Sequence, residues 1–265
     1  MAKSIKNYLL KNFLSKSYFI VCAYKTLIRI PAYFHFIVDF VRFKKMTALS
    51  RRRVPLFWKD RYPCLDDKTK TTCFDRHYIY HPAWAARILA QIKPEFHVDI
   101  SSSLYFCTLV SAFIPVRFYD YRLADLRLSN LSSAAADLTA LPFADRSVFS
   151  LSCMHVVEHI GLGRYGDPLD PDGDMKAIAE LKRVLAIGGD LLFVVPVGKP
   201  RLMFNAHRIY SYEQVVNYFS EFKLQEFALI PDEQNIGGLM YKATKDMVDA
   251  QTYGCGCFWF RREKS

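Results

Sequence analysis

The sequence has few of the features that mark membrane-spanning, secreted or disulfide-bonded proteins. No uncharged apolar run reaches the roughly 18–20 residues that a spanning helix needs, because Lys16, Arg29 and Pro31 interrupt the N-terminal apolar stretch. No signal-peptide cleavage pattern is found. The seven cysteines are scattered, and Cys255-Gly256-Cys257 lacks zinc-knuckle spacing, so neither a disulfide framework nor a zinc finger is expected. These absences favour a cytoplasmic protein with reduced thiols.

Acidic residues are almost missing from the N-terminal fifth of the chain. Residues 1–53 contain 12 of the 36 lysines and arginines but only Asp39 of the 26 acidic residues, which leaves 24 basic and 25 acidic residues from Val54 onward. The formal net charge of +10 therefore belongs to an N-terminal arm, and the rest of the chain is close to neutral. This distribution argues against a domain that binds nucleic acid.

The N-terminal arm, residues 1–53, mixes aromatic and aliphatic residues with lysine and arginine at helical spacing. Two short amphipathic helices, separated at Pro31, would suit this pattern and could lie on the anionic inner face of a membrane. A helical arm that packs on its own domain or on a second subunit is the alternative. Co-sedimentation with liposomes, before and after removal of residues 1–53, separates the two, because unchanged lipid binding would exclude the membrane role of the arm. Residues 54–79 have no clear period and are interpreted as a connector or lid.

Short apolar segments alternate with helical patterns from about residue 80 to the C-terminus. This βαβα order predicts an α/β fold with a Rossmann-like, doubly wound, mainly parallel sheet, in a domain that spans residues 80–265. Segments 224–230 and 257–261 are expected to form an antiparallel C-terminal edge. The predicted helices are 81–93, 104–112 and 175–185, with a fourth that begins near Met154, and the other predicted strands are 96–100, 116–121, 147–153 and 191–197.

Particular residues recur at the ends of these predicted strands. Asp99 ends the first strand and Asp120, 21 residues later, ends the second. Ala136-Asp137-Leu138 precedes Leu141-Pro142-Phe143, Glu158-His159 follows the fourth strand, and Gly188-Gly189 precedes the fifth. In this layout, residues 80–231 resemble class I S-adenosylmethionine-dependent methyltransferases, of the methyltransferase type 11-like group. The resemblance implies a seven-stranded sheet.

Two longer motifs give a narrower resemblance. His155–Pro168 reads HVVEHIGLGRYGDP, and Phe204–Tyr210 reads FNAHRIY. Both are similar to motifs of a bacterial family of unknown function that is assigned to the same superfamily.

The resemblance implies an S-adenosylmethionine site at the ends of the first three strands. Asp120 is the candidate for the ribose hydroxyls. Asp137 and Leu138 would face the adenine, and the first turn, between Asp99 and Ser103, would approach the rest of the cofactor. Each acid could instead cap a helix or turn.

Glycine is missing from that first turn. Ser101-Ser102-Ser103 stands where the family has glycines, which lack a Cβ and adopt positive φ readily. We expect the serine Cβ atoms to resist that conformation. The domain would then bind the cofactor in an altered pose, bind another ligand, or lack catalysis.

A cluster of His155, Glu158 and His159 follows the fourth strand. On a helix that begins near Met154, these three side chains converge at i, i+3 and i+4, which suits a general base or a metal. Ubiquinone-biosynthesis O-methyltransferases carry a similar Glu-x-x-Glu-His run that ligates a divalent ion, with His155 in place of their first Glu. Because Glu-His is also common in relatives without a metal, we predict no metal here.

Two polar segments are the candidates for acceptor contacts. Residues 161–174 hold four glycines, two prolines and four aspartates, which predicts a long loop. Ligands bind at the carboxyl ends of the strands in such sheets, so this loop and the segment after the fifth strand are expected near the acceptor. His207 or His155 would take a proton, and Arg164 or Arg208 would pair with an anion. The predicted acceptor contacts are Arg164, Tyr165, Asp167, Asn205 and Arg208.

These patterns favour methyl transfer from S-adenosylmethionine to a small hydroxylated acceptor, of sugar or glycan type. For the polar segments, the alternative is an ion-pair network of Arg164, Asp167 and Arg208 that orders the loop. For the whole chain, the alternative is a non-catalytic methyltransferase-like binding module in polysaccharide or cell-envelope biosynthesis. The sequence does not determine the oligomeric state.

Overall fold

The computed structural model describes residues 18–47, 54–233 and 237–264, with side chains from Arg29 onward in the first helix. The chain divides into two compact units, Met1–Cys73 and Phe74–Ser265. The parts of the predicted basic arm at 1–17 and 48–53 lie outside the described residues.

The first unit contains one helix, α1 (Tyr18–Thr47), which continues through Pro31. The prediction of two helices separated at Pro31 is wrong, because a proline removes one hydrogen bond of a helix while the neighbouring turns keep theirs. Ile30, Phe34, Val38 and Val41 form an exposed stripe on α1. None of the described helices combines the length and apolar composition of a membrane span. Contact of the arm with a membrane stays a prediction.

A 3-10 turn, Trp58–Asp60, completes the described structure of the first unit. The indole of Trp58 packs against the rings of Phe36 and Phe40, with centroids 6.3 Å and 4.9 Å away. Arg29 on α1 forms an ion pair with Asp66 at 2.5 Å. These contacts hold residues 58–66 against α1.

The second unit contains nine strands in the described residues: β1 (His97–Ile100), β2 (Val116–Asp120), β3 (Leu131–Ala135), β4 (Val148–Met154), β5 (Leu185–Val197), β6 (Arg201–Met203), β7 (His207–Ile209), β8 (Lys223–Ile230) and β9 (Gly254–Arg261). Seven of them form one sheet in the order β3-β2-β1-β4-β5-β9-β8, and the short strands β6 and β7 form a separate ribbon. The first five strands of this order, from β3 to β5 across the sheet and including β2, β1 and β4, pair in parallel. Strand β9 runs antiparallel to both β5 and β8. The predicted α/β class and the antiparallel pair near the C-terminus are confirmed.

Helices cover both faces of this sheet, and alternating residues of the interior strand β5 show how. In β5, Leu191, Phe193 and Val195 belong to one buried cluster, and Leu192 and Val194 belong to the other. Side chains alternate across a strand, so a strand covered on both faces is apolar at every position. The helices of the second unit are α2 (Arg76–Ile92), α3 (Leu104–Val110), α4 (Gly173–Val184), α5 (Tyr212–Tyr218) and α6 (Lys245–Asp249).

Several elements differ from the sequence prediction. The strand predicted at 191–197 begins at Leu185, so Gly188-Gly189 lies inside β5 and not before it. The helix predicted at 81–93 begins at Arg76, because Asp75 caps it by accepting a hydrogen bond from the backbone N–H of Tyr78. The helix predicted to begin near Met154 is absent from the described chain there, since Met154 ends β4 and only a 3-10 turn, Val157–His159, follows. Strand β3 was not predicted, because Leu-Ser-Ser-Ala-Ala has little apolar character and lies at the sheet edge.

Candidate functional site

A cavity of about 230 Å³ opens at the carboxyl ends of the parallel strands. The ends of β1, β2 and β4 and the segment after β3 form its walls, together with the loop before α4. Ligands of open α/β sheets bind at this edge. The predicted site residues that line the cavity are Ser101, Ser103, Asp120, Asp137, Leu138, His155, His159, Tyr165 and Asp167.

The serine turn leaves this cavity open. Ser101 has a φ of 52°, and its backbone N–H and hydroxyl both donate to the carbonyl of Tyr119, at 2.7 Å and 3.2 Å. The hydroxyl of Ser102 accepts from the backbone N–H of Met154 at 3.1 Å. The expectation that the serines resist positive φ is therefore wrong for Ser101. Its two bonds to Tyr119 offset the roughly 1–2 kcal/mol that a side chain costs in this conformation.

Two carboxylates from neighbouring strand ends lie in the cavity wall. Asp120 ends β2, and its Oδ1 accepts from the backbone N–H of Arg122 at 2.8 Å. Among the hydrogen bonds of the described residues, its Oδ2 receives none. Asp137 follows β3, and its Oδ1 accepts from both the N–H and the hydroxyl of Thr139, at 2.8 Å and 2.7 Å. Each acid therefore caps a turn, and Asp120 keeps an oxygen for a ligand.

Asp99 lies apart from the cavity lining in the described chain, so the structure does not bring it together with the other predicted cofactor residues. Its side chain is completely buried on the sheet face covered by α2 and α3. Its Oδ1 accepts from the hydroxyl of Ser152 at 2.5 Å, and that hydroxyl also contacts Nε2 of His97 at 2.9 Å. Burial raises the pKa of Asp99 from 3.8 to about 7, and hydrogen bonds from Ser102 and Ser152 only partly oppose this.

Asp99→Asn should change how stability depends on pH. In the unfolded chain Asp99 ionises near its ordinary pKa of 3.8, but in the folded chain it keeps its proton to about pH 7. The free energy of unfolding therefore falls as pH rises through this interval, by up to about 4 kcal/mol from this group alone. The amide does not ionise, so we expect the variant to gain stability relative to the native chain from about pH 4 to pH 7.

Urea unfolding of both proteins at several pH values measures this difference. Burial lowers the pKa values of His77 and His97 to about 4 and about 3, which affects both proteins equally and cancels in the comparison. A difference that stays constant across this pH range would contradict the assignment.

The His-Glu-His cluster forms without a helix. His155 has a φ of 59°, and Nδ1 of its ring lies 2.8 Å from Oε1 of Glu158. Oε1 of Glu158 also lies 3.8 Å from Nε2 of His159, so the three groups do converge. Glu158 is completely buried, and burial by itself would raise its pKa. The hydrogen bond from His155 and electrostatic interactions with His155 and His159 outweigh burial, so the pKa of Glu158 is lowered and the group is an ionised carboxylate at neutral pH.

The two histidines of this cluster differ in access to the cavity. Nδ1 of His159 lies 2.6 Å from the carbonyl oxygen of Ala206, which can only accept, so Nδ1 carries the proton and Nε2 is free to act as a base. Nε2 of His155 is buried and has no hydrogen-bond partner within the described part of the chain. His159 is therefore the better placed of the two to serve a ligand in the cavity.

The predicted acceptor contacts mostly order the loop. Asp167 accepts from the backbone N–H groups of Gly161, Gly163 and Tyr165, at 2.8, 3.3 and 3.2 Å. Arg164 donates to the carbonyl of Ala206 at 3.1 Å. Arg164 is thus a structural contact, and Asp167 lines the cavity while closing a turn.

Arg208 lies at the other end of the same loop. Its guanidinium is buried, donates to the carbonyls of Ile160 and Pro171 at 2.7 Å and 3.1 Å, and pairs with Asp174 at 3.4 Å. The predicted ion-pair network of Arg164, Asp167 and Arg208 is not found among the described residues: Arg208 pairs with Asp174, and Asp167 orders the loop through backbone N–H groups instead.

Asn205 and His207 lie outside the cavity lining in the part of the chain that the structure describes. Asn205 is exposed in the turn between β6 and β7. His207 is half-buried, its pKa is lowered by burial, and its ring lies 4.7 Å from that of Tyr253. The ring of His207 also lies 6.4 Å from that of His159, so His207 neighbours the His-Glu-His cluster without lining the cavity in the described chain.

Sequence reasoning missed several residues around His155. Tyr78 from α2 lines the cavity, and His77 and His81 pack against the ring of His155 with centroids 5.2 Å and 5.1 Å away. The spacing of His77 and His81, four residues apart on a helix, was the available signal. The local sequence does not indicate that His77 and His81 pack beside the end of β4.

A comparison with protein families gives one match, which covers less than half of the chain. The protein-family model described as "Caenorhabditis protein of unknown function, DUF268" matches residues 117–234, so the bacterial family expected from the motifs is not confirmed. No curated protein matches the sequence.

Three solved structures illustrate the structural similarity. The YcgJ protein from Bacillus subtilis is 15% identical, with a TM-score of 0.47 over 69% of this chain and 100% of that chain. The N-methyltransferase NodS from Bradyrhizobium japonicum, in complex with S-adenosyl-L-homocysteine, is 14% identical, with a TM-score of 0.48 over 69% and 86%. The 1,6-didemethyltoxoflavin-N1-methyltransferase from Burkholderia thailandensis is 11% identical, with a TM-score of 0.48 over 69% and 79%. The strand order of this chain, not these similarities, defines its fold.

Proposed function

We propose that the second unit binds S-adenosylmethionine in the cavity and transfers its methyl group to a small hydroxylated acceptor. The observation that carries this proposal is the meeting of Asp120, Asp137 and Leu138 in one cavity, beside an open serine turn. An acid at the end of the second strand suits two ribose hydroxyls, because a carboxylate accepts from both.

The binding roles follow from the free groups in the wall. Oδ2 of Asp120 is unpaired among the described residues and would accept from a ribose hydroxyl. Leu138 is buried beside Asp137 and would pack against the flat face of an adenine. The Ser101 and Ser102 hydroxyls are already bonded to backbone groups, which leaves space above the turn.

His159 is the base that we propose for the transfer. S-adenosylmethionine supplies an electrophilic methyl group, so the chain has to hold the acceptor in line and remove one proton. Nε2 of His159 would take the proton from the acceptor hydroxyl, and Glu158, 3.8 Å away, would stabilise the resulting imidazolium. Tyr165, whose ring lies 5.6 Å from that of His159, would border the acceptor.

The acceptor class that we propose is a sugar or glycan intermediate. The near-neutral charge of the chain from Val54 onward supports an uncharged or weakly charged acceptor rather than a nucleic acid. We also propose cytoplasmic action, with the acceptor supplied near the inner face of a membrane.

Calorimetric titration with S-adenosylmethionine and S-adenosylhomocysteine tests the proposal directly. We expect one site per chain with a dissociation constant between about 1 μM and 1 mM, the usual range for enzyme substrates. ATP is the control, because it shares the adenosine but carries a triphosphate that the acidic wall would repel. No heat with either ligand at millimolar concentration would refute the enzyme and favour the non-catalytic binding module.

A further inference from the structure

Three side chains from distant parts of the second unit meet beside the cavity: His77 at the start of α2, His155 after β4, and Cys255 at the start of β9. Strand β9 runs antiparallel to β5, with Cys255 opposite Pro196, and β4 runs parallel to β5, with Met154 opposite Val194. The first residues of β9 therefore lie at the same sheet edge as the last residues of β4. Helix α2 brings His77 over that edge.

The potential ligand atoms of His77, His155 and Cys255 all lie within 4.8 Å of one another, and all three residues are buried. Only 3% of the His155 side chain is exposed. Its Nε2 is buried and has no hydrogen-bond partner among residues 54–233 and 237–264. A buried polar nitrogen without a hydrogen-bond partner costs free energy of folding, so the position of Nε2 of His155 requires an explanation.

Glu158 prepares His155 for a metal. Nδ1 of His155 donates to Oε1 of Glu158 at 2.8 Å, so Nε2 is the nitrogen left for coordination. Histidines that bind metals usually donate their other N–H to a carboxylate in this way, which fixes the ring and makes the ligand nitrogen more basic. His81 adds a similar group, because its Nδ1 donates to the carbonyl of His77 at 2.6 Å and its Nε2 is buried without a partner in the described chain.

We propose that His77, His155 and Cys255 bind one Zn²⁺ ion, with His81 or a water as the fourth ligand. Two imidazoles and a thiolate are a donor set that zinc prefers. On binding, the S–H bond of Cys255 breaks, its sulfur forms the bond to zinc, and the proton leaves to solvent. The thiolate and the Glu158 carboxylate together balance the double positive charge, as a buried ion requires.

Metal uptake requires a small local movement. Zinc bonds of about 2.0–2.3 Å place tetrahedral ligand atoms about 3.3–3.8 Å apart, so atoms now within 4.8 Å must approach by about 1 Å. The rings of His77 and His155 are stacked, with 10° between their planes, and one ring has to turn so that both nitrogens point at the ion. The ion would then tie α2 to the ends of β4 and β9 and fix the cavity wall at His155.

Cobalt titration of the full chain tests the site without any methyl donor. Cys22, Cys64 and Cys73 are first replaced by serine, because Cys64 and Cys73 are exposed thiols that would bind metal adventitiously. We expect one equivalent of Co²⁺ to produce visible tetrahedral bands and a near-ultraviolet thiolate-to-cobalt band, and Zn²⁺ to abolish both. No thiolate band in this background would overturn the proposal.

Variants identify the ligands. Cys255→Ser should abolish the thiolate band. The matched control is Cys257→Ser, which should keep the band although the native Cys257 sulfur lies only 4.0 Å from that of Cys255. Glu158→Gln should weaken binding about 10–100-fold while keeping one equivalent per chain. A thiolate band of unchanged intensity in Cys255→Ser would mean adventitious binding and overturn the site. If circular dichroism shows that Cys255→Ser does not fold, His77→Asn is used in its place. Unchanged cobalt affinity of His77→Asn would likewise mean adventitious binding and overturn the site.

The zinc site shares Glu158 and the cavity wall at His155 with the proposed methyl transfer, but the two proposals are tested separately. Metal binding is measured without S-adenosylmethionine, so a failed cofactor titration leaves the zinc proposal intact, and a failed cobalt titration leaves the cofactor pocket intact.

Discussion

Asp120→Asn is expected to weaken binding of S-adenosylmethionine about 10- to 100-fold in calorimetric titration. A hydrogen bond to a charged group contributes about 1.5–3 kcal/mol, and an amide whose oxygen stays on the N–H of Arg122 presents an NH2 donor where Oδ2 of Asp120 would accept from the ribose. The change leaves the fold intact, because the only hydrogen bond described for the Asp120 carboxylate, from the N–H of Arg122, can be kept by the amide oxygen.

The matched control is Asp125→Asn, five residues further along the same segment. Asp125 is 72% exposed, pairs with Arg127 and lies outside the cavity lining of the described chain. The control should bind the cofactor like the native chain. Equal affinities of the two variants would refute the assignment of Asp120 to the ribose, and would leave the serine turn as the next part of the wall to examine.

Arg208→Met is expected to lower the free energy of unfolding by about 3–5 kcal/mol. The Arg208 and Asp174 side chains are each 9% exposed, so removal of the guanidinium leaves the Asp174 carboxylate buried without its cation. The carbonyls of Ile160 and Pro171 lose their donors as well. Urea unfolding followed by tryptophan fluorescence measures the loss, since Trp84 and Trp259 are buried in the second unit.

Two further variants separate the buried ion pair from general damage. Arg127→Met removes an arginine that is 85% exposed in its pair with Asp125, and should cost less than about 1 kcal/mol. Arg208→Met combined with Asp174→Asn should be more stable than Arg208→Met alone, because the uncompensated charge is gone. A double variant no more stable than the single one would show that Arg208 acts through its carbonyl contacts only.

The stability of this loop bears on the cavity. Gly161, Tyr165, Asp167 and Pro168 form one wall of it, and Arg208 holds the loop at Ile160 and Pro171. A variant that loosens the loop should therefore weaken ligand binding as well as folding. Asp120→Asn differs in this respect, since it should affect binding alone.

Much of the architecture was predictable because its signals are local. The apolar runs of β1, β2, β4 and β5 alternate with helices, and this order alone indicates a parallel sheet covered on both faces. Asp120 and Asp137 were also found from the sequence, because carboxyl ends of parallel strands meet at one edge whatever the details of packing. Strand β3 lacked such a signal, since its serines and alanines need no apolar pattern at an edge.

The sequence by itself therefore determined the α/β fold, the edge of the sheet where the site lies and the two acids in its wall. Only the tertiary structure decided which way the neighbouring polar groups point. Asp99 faces α3 instead of the cavity, because side chains alternate across a strand and the sheet is covered on both sides. The meeting of His77, His155 and Cys255 depends on the reversed direction of β9, and strand pairing between distant segments leaves no trace in local composition.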